Sequence, residues 1–232
     1  MLPSGIQAIS FDCSMTLLED QWDPARFAME CAEQVGLPVD RDSHGPIYRS
    51  LLRRGWPEFR ERNLTRDSKL CDSWWDDLTL DWIRESGLDH LQHDQVMSVA
   101  RARLLDPTDV FRVFADTLPA LRGLKAQGIR LAVLSNWDNS LHRVIESHGL
   151  SEYFEVVIAS LEEGVEKPEP LIFEILLERL GCRADQVLHV GDNPLDDFQG
   201  ARGAGLHGRI IDRSSPSPEG IYISSLTDLL EK

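Results

Sequence analysis

Beyond Pro107 the chain repeats one pattern three times: a helical stretch, a glycine, then a short apolar run. Leu118, Leu121 and Leu124 form a helical stripe that Gly128 stops, and residues 129–134 follow as a strand. Leu141, Val144 and Ile145 repeat it with a stop at Gly149 and a strand at 156–159. Leu171, Ile172, Ile175, Leu176 and Leu180 repeat it again, with Gly181 and a strand at 187–190, and a last strand is expected at 209–211. Helices closed by left-handed glycines and alternating with buried strands wind a parallel sheet with helices on both faces. One more strand belongs to it. Ile6, Ala8, Ile9 and Phe11 form a short run behind Pro3, Ser4 and Gly5 that reads as a buried strand, and it ends at Asp12.

Between these two parts of the core the reading is helical from Trp22 to about Leu105. Phe27, Ala28, Cys31 and Val35 lie on one stripe stopped by Gly36, and further helices are expected at 46–54, 71–86 and 94–105. Trp22, Trp56, Trp74, Trp75 and Trp82 fall here and are read as packing residues. The expected architecture is α/β: a doubly wound, Rossmann-like parallel sheet from residues 1–20 and 108–232, with a helical-bundle cap inserted at 21–107. Hinges between the two are expected at 19–23 and 105–108, since an enclosed site must open to admit substrate.

Composition narrows the chemistry. A formal net charge of −15 repels phosphate backbones, and the one basic cluster, Arg49, Arg53, Arg54, Arg60 and Arg62, is interleaved with glutamates, so no nucleic-acid partner is expected. No apolar run reaches the length of a membrane span and the N-terminus lacks a signal-peptide pattern, which places the chain in the cytoplasm with no membrane partner. Cys13, Cys31, Cys71 and Cys182 are dispersed and read as structural thiols.

Each core strand ends in a polar group: Asp12, then Ser135 with Asn136, then Ser160 and, past a short loop, Lys167, then Asp192. Carboxyl ends of parallel strands face one crevice, so these groups converge. A dinucleotide-binding enzyme would carry G-x-G-x-x-G after the first strand, where this chain has DCSMT. A phosphatase using Cys13 would close its loop with an arginine, and Glu19 stands there. Asp12, Asp192 and Asp197 form an acidic cluster that suits Mg²⁺. Lys167 adds a cation. Ser135 and Asn136 precede a helix near Asn139 whose free N–H groups favour an anion.

In these motifs, DCSMT at 12–16, the apolar strand ending in Ser135 and Asn136, Lys167 in EKPEP, and GDNPLDD at 191–197 followed by GARGAG, the chain resembles the haloacid dehalogenase-like (HAD) hydrolase superfamily of the helical-cap type. The resemblance implies a Mg²⁺-dependent phosphatase of a small phosphorylated metabolite, with Asp12 as nucleophile and an aspartyl-phosphate intermediate. It implies Asp12, Ser14, Ser135 and Lys167 as catalytic residues. It also implies metal ligation by Asp12, the Ser14 main-chain carbonyl and Asp192, with Asp197 as an indirect partner. Asn136, and from the cap Arg53 and Trp56 with Arg54 and Arg60 nearby, are expected to approach substrate. Two residues depart from the pattern. Ser14 replaces the second aspartate that protonates the leaving oxygen in family phosphatases, and Met15 replaces a common glycine. A weakly active or non-catalytic protein that binds a phosphorylated ligand or a protein partner is the main alternative. A 2-haloacid dehalogenase is less favoured, because such enzymes lack the metal-binding aspartate pair.

Overall fold

The computed structural model describes residues 2–20, 22–106, 108–214 and 220–230. Contacts divide the chain into two compact units, Met1–Asp20 with Phe111–Lys232, and Gln21–Val110. Among the described residues no helix is long and apolar enough to cross a membrane.

The first unit is built on a six-stranded sheet. Its strands are β1 (Ala8–Phe11), β4 (Arg130–Ser135), β5 (Val156–Ala159), β6 (Val187–Gly191), β7 (His207–Ile211) and β8 (Tyr222–Ile223), ordered β5-β4-β1-β6-β7-β8 and parallel throughout. All four residues of β1 and all five of β6 are buried, which is why both read as mainly apolar, each with one polar residue, Ser10 and His189. From β1 the chain builds outward through β4 and β5, then crosses back to lay β6, β7 and β8 on the other side. The order therefore reverses between β1 and β6, where α/β sheets open a crevice beyond their strand tips. Phe11 is level with Val133 on one side and Val190 on the other, so Asp12, Ser135 and Asp192 emerge at similar height. Helix α8 (Pro170–Leu180) covers one face. Its Ile172, Phe173, Leu176 and Leu180 pack with Ala8, Ala132, Leu134, Ile158 and Val187.

Two features of this unit were not expected. Strands β2 (Leu18–Asp20) and β3 (Phe111–Val113) form a separate antiparallel pair, and β8 extends the sheet past the strand expected to be last. Both rest on strands of two or three residues, too short to show a period in sequence. The remaining α-helices of the unit are α5 (Thr117–Ala126), α6 (Ser140–Ser147), α7 (Ser160–Glu163) and the single turn α9 (Gly200–Gly203), which follows a π-helical turn at Pro194–Gln199.

The second unit holds α1 (Pro24–Gln34), α2 (Arg41–Leu64), α3 (Ser68–Glu85) and α4 (His93–Leu105). Asp23, Asp40 and Asp67 cap the first three by accepting N–H bonds from their opening turns. Helix α2 runs well beyond the expected 46–54, continuing through Pro46 and Pro57. Each proline removes one backbone donor, so both read as boundaries; packing against α3 outweighs that loss. Gly55 permits the close approach, since a Cβ there would come within 2.7 Å of the Trp74 ring. Phe59, fully buried, packs with Trp56, Trp74 and Trp75 in tilted and edge-on contacts at 4.5–5.3 Å between ring centroids, and Trp82 is also buried, as packing residues should be. Trp22 departs from that expectation at 40% exposure, though its ring lies 5.2 Å from that of Phe27. Gln21 and Pro107, within the expected hinges, lie outside the described residues.

Candidate active site

Asp12 is the residue that ends β1, and its N–H is held by the Val190 carbonyl at 2.8 Å. The carboxylate is 8% exposed. Its Oδ1 accepts hydrogen bonds from the Ser135 hydroxyl and the Lys167 ammonium, both at 2.8 Å. Among the described residues no hydrogen bond reaches Oδ2, which leaves that oxygen for a reacting centre or a cation. Burial raises the Asp12 carboxyl above its ordinary range, an effect that Lys167 only partly offsets.

Lys167 is buried and lies between two carboxylates, donating also to Asp197 Oδ1 at 2.5 Å. Burial disfavours an ammonium, but Asp12 and Asp197 outweigh it and raise the lysine, so Lys167 stays charged. Two glutamates shortly before it in the chain pair elsewhere, Glu162 with His142 and Glu163 with Arg179. Asn136 fixes the lysine from behind. Its Oδ1 accepts from the Lys167 N–H at 2.8 Å and its Nδ2 donates to the Lys167 carbonyl at 3.0 Å. Both ends of this amide thus serve to position Lys167.

Asp197 sits on the π-helical turn, 1% exposed. Its Oδ1 accepts from Lys167 and from His189 Nε2 at 3.1 Å, and its Oδ2 accepts from the Asn193 N–H at 2.9 Å. Burial would raise this carboxyl, but Lys167 and His189 hold it well below the carboxylate range. Gly191 makes room for it, because a Cβ there would collide with the Asp197 carboxylate. His189 is fully buried in the middle of β6, and burial lowers it, so it is neutral. The tautomer that satisfies both neighbours donates from Nε2 to Asp197 and accepts at Nδ1 from Ser10 Oγ, 2.8 Å away. Ser10 and His189 are register partners on β1 and β6.

Asp12, Asp192 and Asp197 each offer one oxygen within a span of 4.8 Å. Asp192 is half-buried, and burial together with the charges of Asp12 and Asp197 pushes its carboxyl up to about 6. Lys167 neutralises one of these three charges; two remain when all ionise. Hard oxygen donors carrying net negative charge fit a divalent cation such as Mg²⁺, which would bring Asp12 and Asp192 back down. Asp196 is outside this cluster and bonds to the Asn193 side chain.

The turn after Asp12 is wound tightly. The Cys13 carbonyl accepts N–H bonds from Thr16, Leu17 and Leu18 at 2.9–3.3 Å. Met15 takes φ of +54°, a left-handed conformation that methionine adopts only under constraint. Ser14 donates its hydroxyl to Asp20 Oδ2 at 2.5 Å. The helix start near Asn139 offers less to an anion than its position promised, since the Ser140 N–H is already bonded to Asp138 at 2.7 Å. Arg53 and Trp56 belong to the second unit, where Arg53 is exposed on α2 and Trp56 packs on Phe59.

Sequence reasoning passed over Ser10, Asp20 and His189. A lone histidine inside the apolar run VLHVG was the available signal, because a buried polar side chain in a strand needs a partner. Asp20 gave none, standing in a strand of three residues.

A model of the family described as haloacid dehalogenase-like hydrolase matches residues 6–205. The haloacid dehalogenase-like hydrolase domain-containing protein 3 of Mus musculus is 33% identical over 213 residues, covering 91% of this chain and 84% of the relative. The glyceraldehyde 3-phosphate phosphatase of Methanothermobacter thermautotrophicus is 33% identical over 108 residues, 44% of this chain and 46% of its own length. The crystal structure of 2-haloacid dehalogenase from Pseudomonas syringae pv. Tomato DC3000 aligns with a TM-score of 0.68 at 24% identity, covering 97% of this chain and 96% of that one, which shows a shared fold.

Proposed function

The chain belongs to the haloacid dehalogenase-like hydrolase family, and from that premise we propose that it is a Mg²⁺-dependent phosphatase of a small phosphorylated molecule, using Asp12 as nucleophile. One observation carries this reading: Asp12 shares Lys167 with Asp197 and lies in an acidic trio whose charge the protein does not balance. An uncompensated cluster of that kind suits a reaction that handles anions with a bound cation, and it disfavours removal of halide from carbon. A phosphatase relative covering part of the chain agrees with it.

A carboxylate oxygen of Asp12 attacks phosphorus while the ester P–O bond breaks, and water later cleaves the aspartyl phosphate to release phosphate and restore Asp12. Lys167 steadies Asp12 through Oδ1 and supplies positive charge where negative charge develops, with the Ser135 hydroxyl beside it. Asn136 holds Lys167, and His189 with Asn193 hold Asp197. Asp12, Asp192 and the Ser14 carbonyl, with Asp197 beside them, would hold Mg²⁺, which would supply charge neutralisation when bound. The leaving oxygen is the weak point. A serine hydroxyl cannot protonate it as a carboxyl group would, so substrates with good leaving groups, such as acyl phosphates and nitrophenyl phosphate, are favoured.

That same serine favours a second reading, a protein that binds a phosphorylated ligand and turns it over poorly. A screen of phosphate esters, acyl phosphates and 2-haloacids with and without Mg²⁺ separates the readings. Phosphate release that needs Mg²⁺ and is abolished by Asp12→Asn with folding intact is expected. Halide release without Mg²⁺ would make the protein a dehalogenase, and binding of Mg²⁺ and phosphate analogues without turnover would make it a binding protein.

A further inference from the structure

Arg213 follows β7 by two residues and stands 198 positions from Met15, yet its side chain ends on the turn behind the nucleophile. Nη1 donates to the Met15 carbonyl at 3.3 Å and Nη2 to the Thr16 carbonyl at 2.8 Å. The guanidinium is itself anchored. Nη2 bonds both oxygens of Asp116, at 3.0 and 3.3 Å, and the guanidinium carbon lies 3.7 Å from the centroid of the Phe114 ring. Asp116 is held in turn by the Leu226 N–H at 2.7 Å and the Ser225 hydroxyl at 3.0 Å. Such an arrangement does more than tie down a loop, because it grips the carbonyls of Met15, in the left-handed region, and of the next residue. The Cys13 carbonyl gathers the N–H groups of the same turn and Arg213 gathers its carbonyls, through charge-assisted bonds of the stronger kind.

We infer that Arg213 is a positioning residue of the active site: its guanidinium locks the left-handed turn at Met15 and so orients the Ser14 backbone beside Asp12. The part played in catalysis rests on the phosphatase reading above; the lock itself does not. A glycine at position 15 would adopt the turn without help, so the need for Arg213 should shrink in a Met15→Gly background.

The test combines Arg213→Gln and Arg213→Lys with Met15→Gly. It reads thermal unfolding, Mg²⁺ affinity by calorimetry, and kcat and KM on nitrophenyl phosphate. Arg213→Gln should weaken Mg²⁺ binding and lower kcat by about 10–100-fold, as loss of a residue that orients ligands does, with KM moved far less. Arg213→Lys should recover part of the loss, and Met15→Gly should reduce it several-fold. Equal losses in the two backgrounds, or a fall in melting temperature with Mg²⁺ affinity and kcat unchanged, would overturn the inference. If the native protein neither binds Mg²⁺ nor turns over phosphate, the phosphatase reading has failed and unfolding alone decides the lock: non-additive effects at positions 15 and 213 support it, additive ones reject it. Should Arg213→Gln not fold, Asp116→Asn, which slackens the guanidinium without removing it, is expected to show the same pattern in smaller measure. A silent Asp116→Asn would count against the lock.

Discussion

The Ser14 hydroxyl points its hydrogen at Asp20, so the position where family phosphatases carry a second aspartate already has a carboxylate for a neighbour. This alters what restoring that aspartate would do. A carboxylate at position 14 would face Asp20 at hydrogen-bond range and be repelled by it. Ser14→Asp should therefore speed alkyl phosphate hydrolysis less than Ser14→Asp combined with Asp20→Asn. The gain should be greater for alkyl phosphates than for nitrophenyl phosphate, since only the former need the ~10²–10⁴-fold contribution of a general acid. Steady-state rates of the single and double variants on both substrates decide it. Equal gains on the two substrates would mean that proton delivery is not what the chain lacks.

At the scale of elements, β6 and the turn that follows form the most constrained piece of the site. His189 faces Ser10 from the middle of the strand, Gly191 ends it, and the Asn193 side chain caps the π-helical turn by accepting from the Leu195 and Asp196 N–H groups. That turn swings Asp197 back over Gly191, where a methyl group does not fit. Gly191→Ala must displace either the strand end or the carboxylate. An overpacked site of this kind costs about 1–3 kcal/mol. Denaturant unfolding should register that loss, and turnover should fall further than stability alone explains because Asp197 holds Lys167. Native turnover in Gly191→Ala would show that Asp197 can move without consequence. The sequence reading had Asp192 from its strand end and Asp197 from the family resemblance. It did not have the space they need, which depends on how the turn folds back on its strand.

For the molecule as a whole, the acidic trio makes stability depend on pH, and the proposed metal couples to the same groups. Asp192 is raised from its ordinary 3.8 to about 6, so the fold favours its protonated form. The stability this group contributes is present below about 4 and lost as pH rises through about 6. Asp197, held low, works in the opposite sense but only at far more acid pH. If Mg²⁺ is held as proposed, it competes with protons for these carboxylates, so the rise in melting temperature on adding Mg²⁺ should be larger at about pH 7.5 than at about pH 5. Scans at the two pH values with and without the metal measure it. An equal rise at both would mean that Asp192 is not among the groups the metal binds.

The alternating helices, glycines and apolar runs determined the parallel sheet, because each signal is local: a stripe, a left-handed stop, a buried strand. Parallel strand ends must face one way, so Asp12, Ser135, Lys167 and Asp192 could be assigned to one crevice without coordinates. What tertiary structure alone decided are the partners. Ser10 meets His189 through sheet register, Asn136 spends its amide on the Lys167 peptide, Asp20 receives the Ser14 hydroxyl, and Arg213 reaches Met15 across nearly the whole chain. Apart from the lone histidine of β6, nothing in the sequence announces these pairings, because a hydrogen bond between distant positions leaves no period and no spacing. It exists only once the sheet has set strands from opposite ends of the chain side by side.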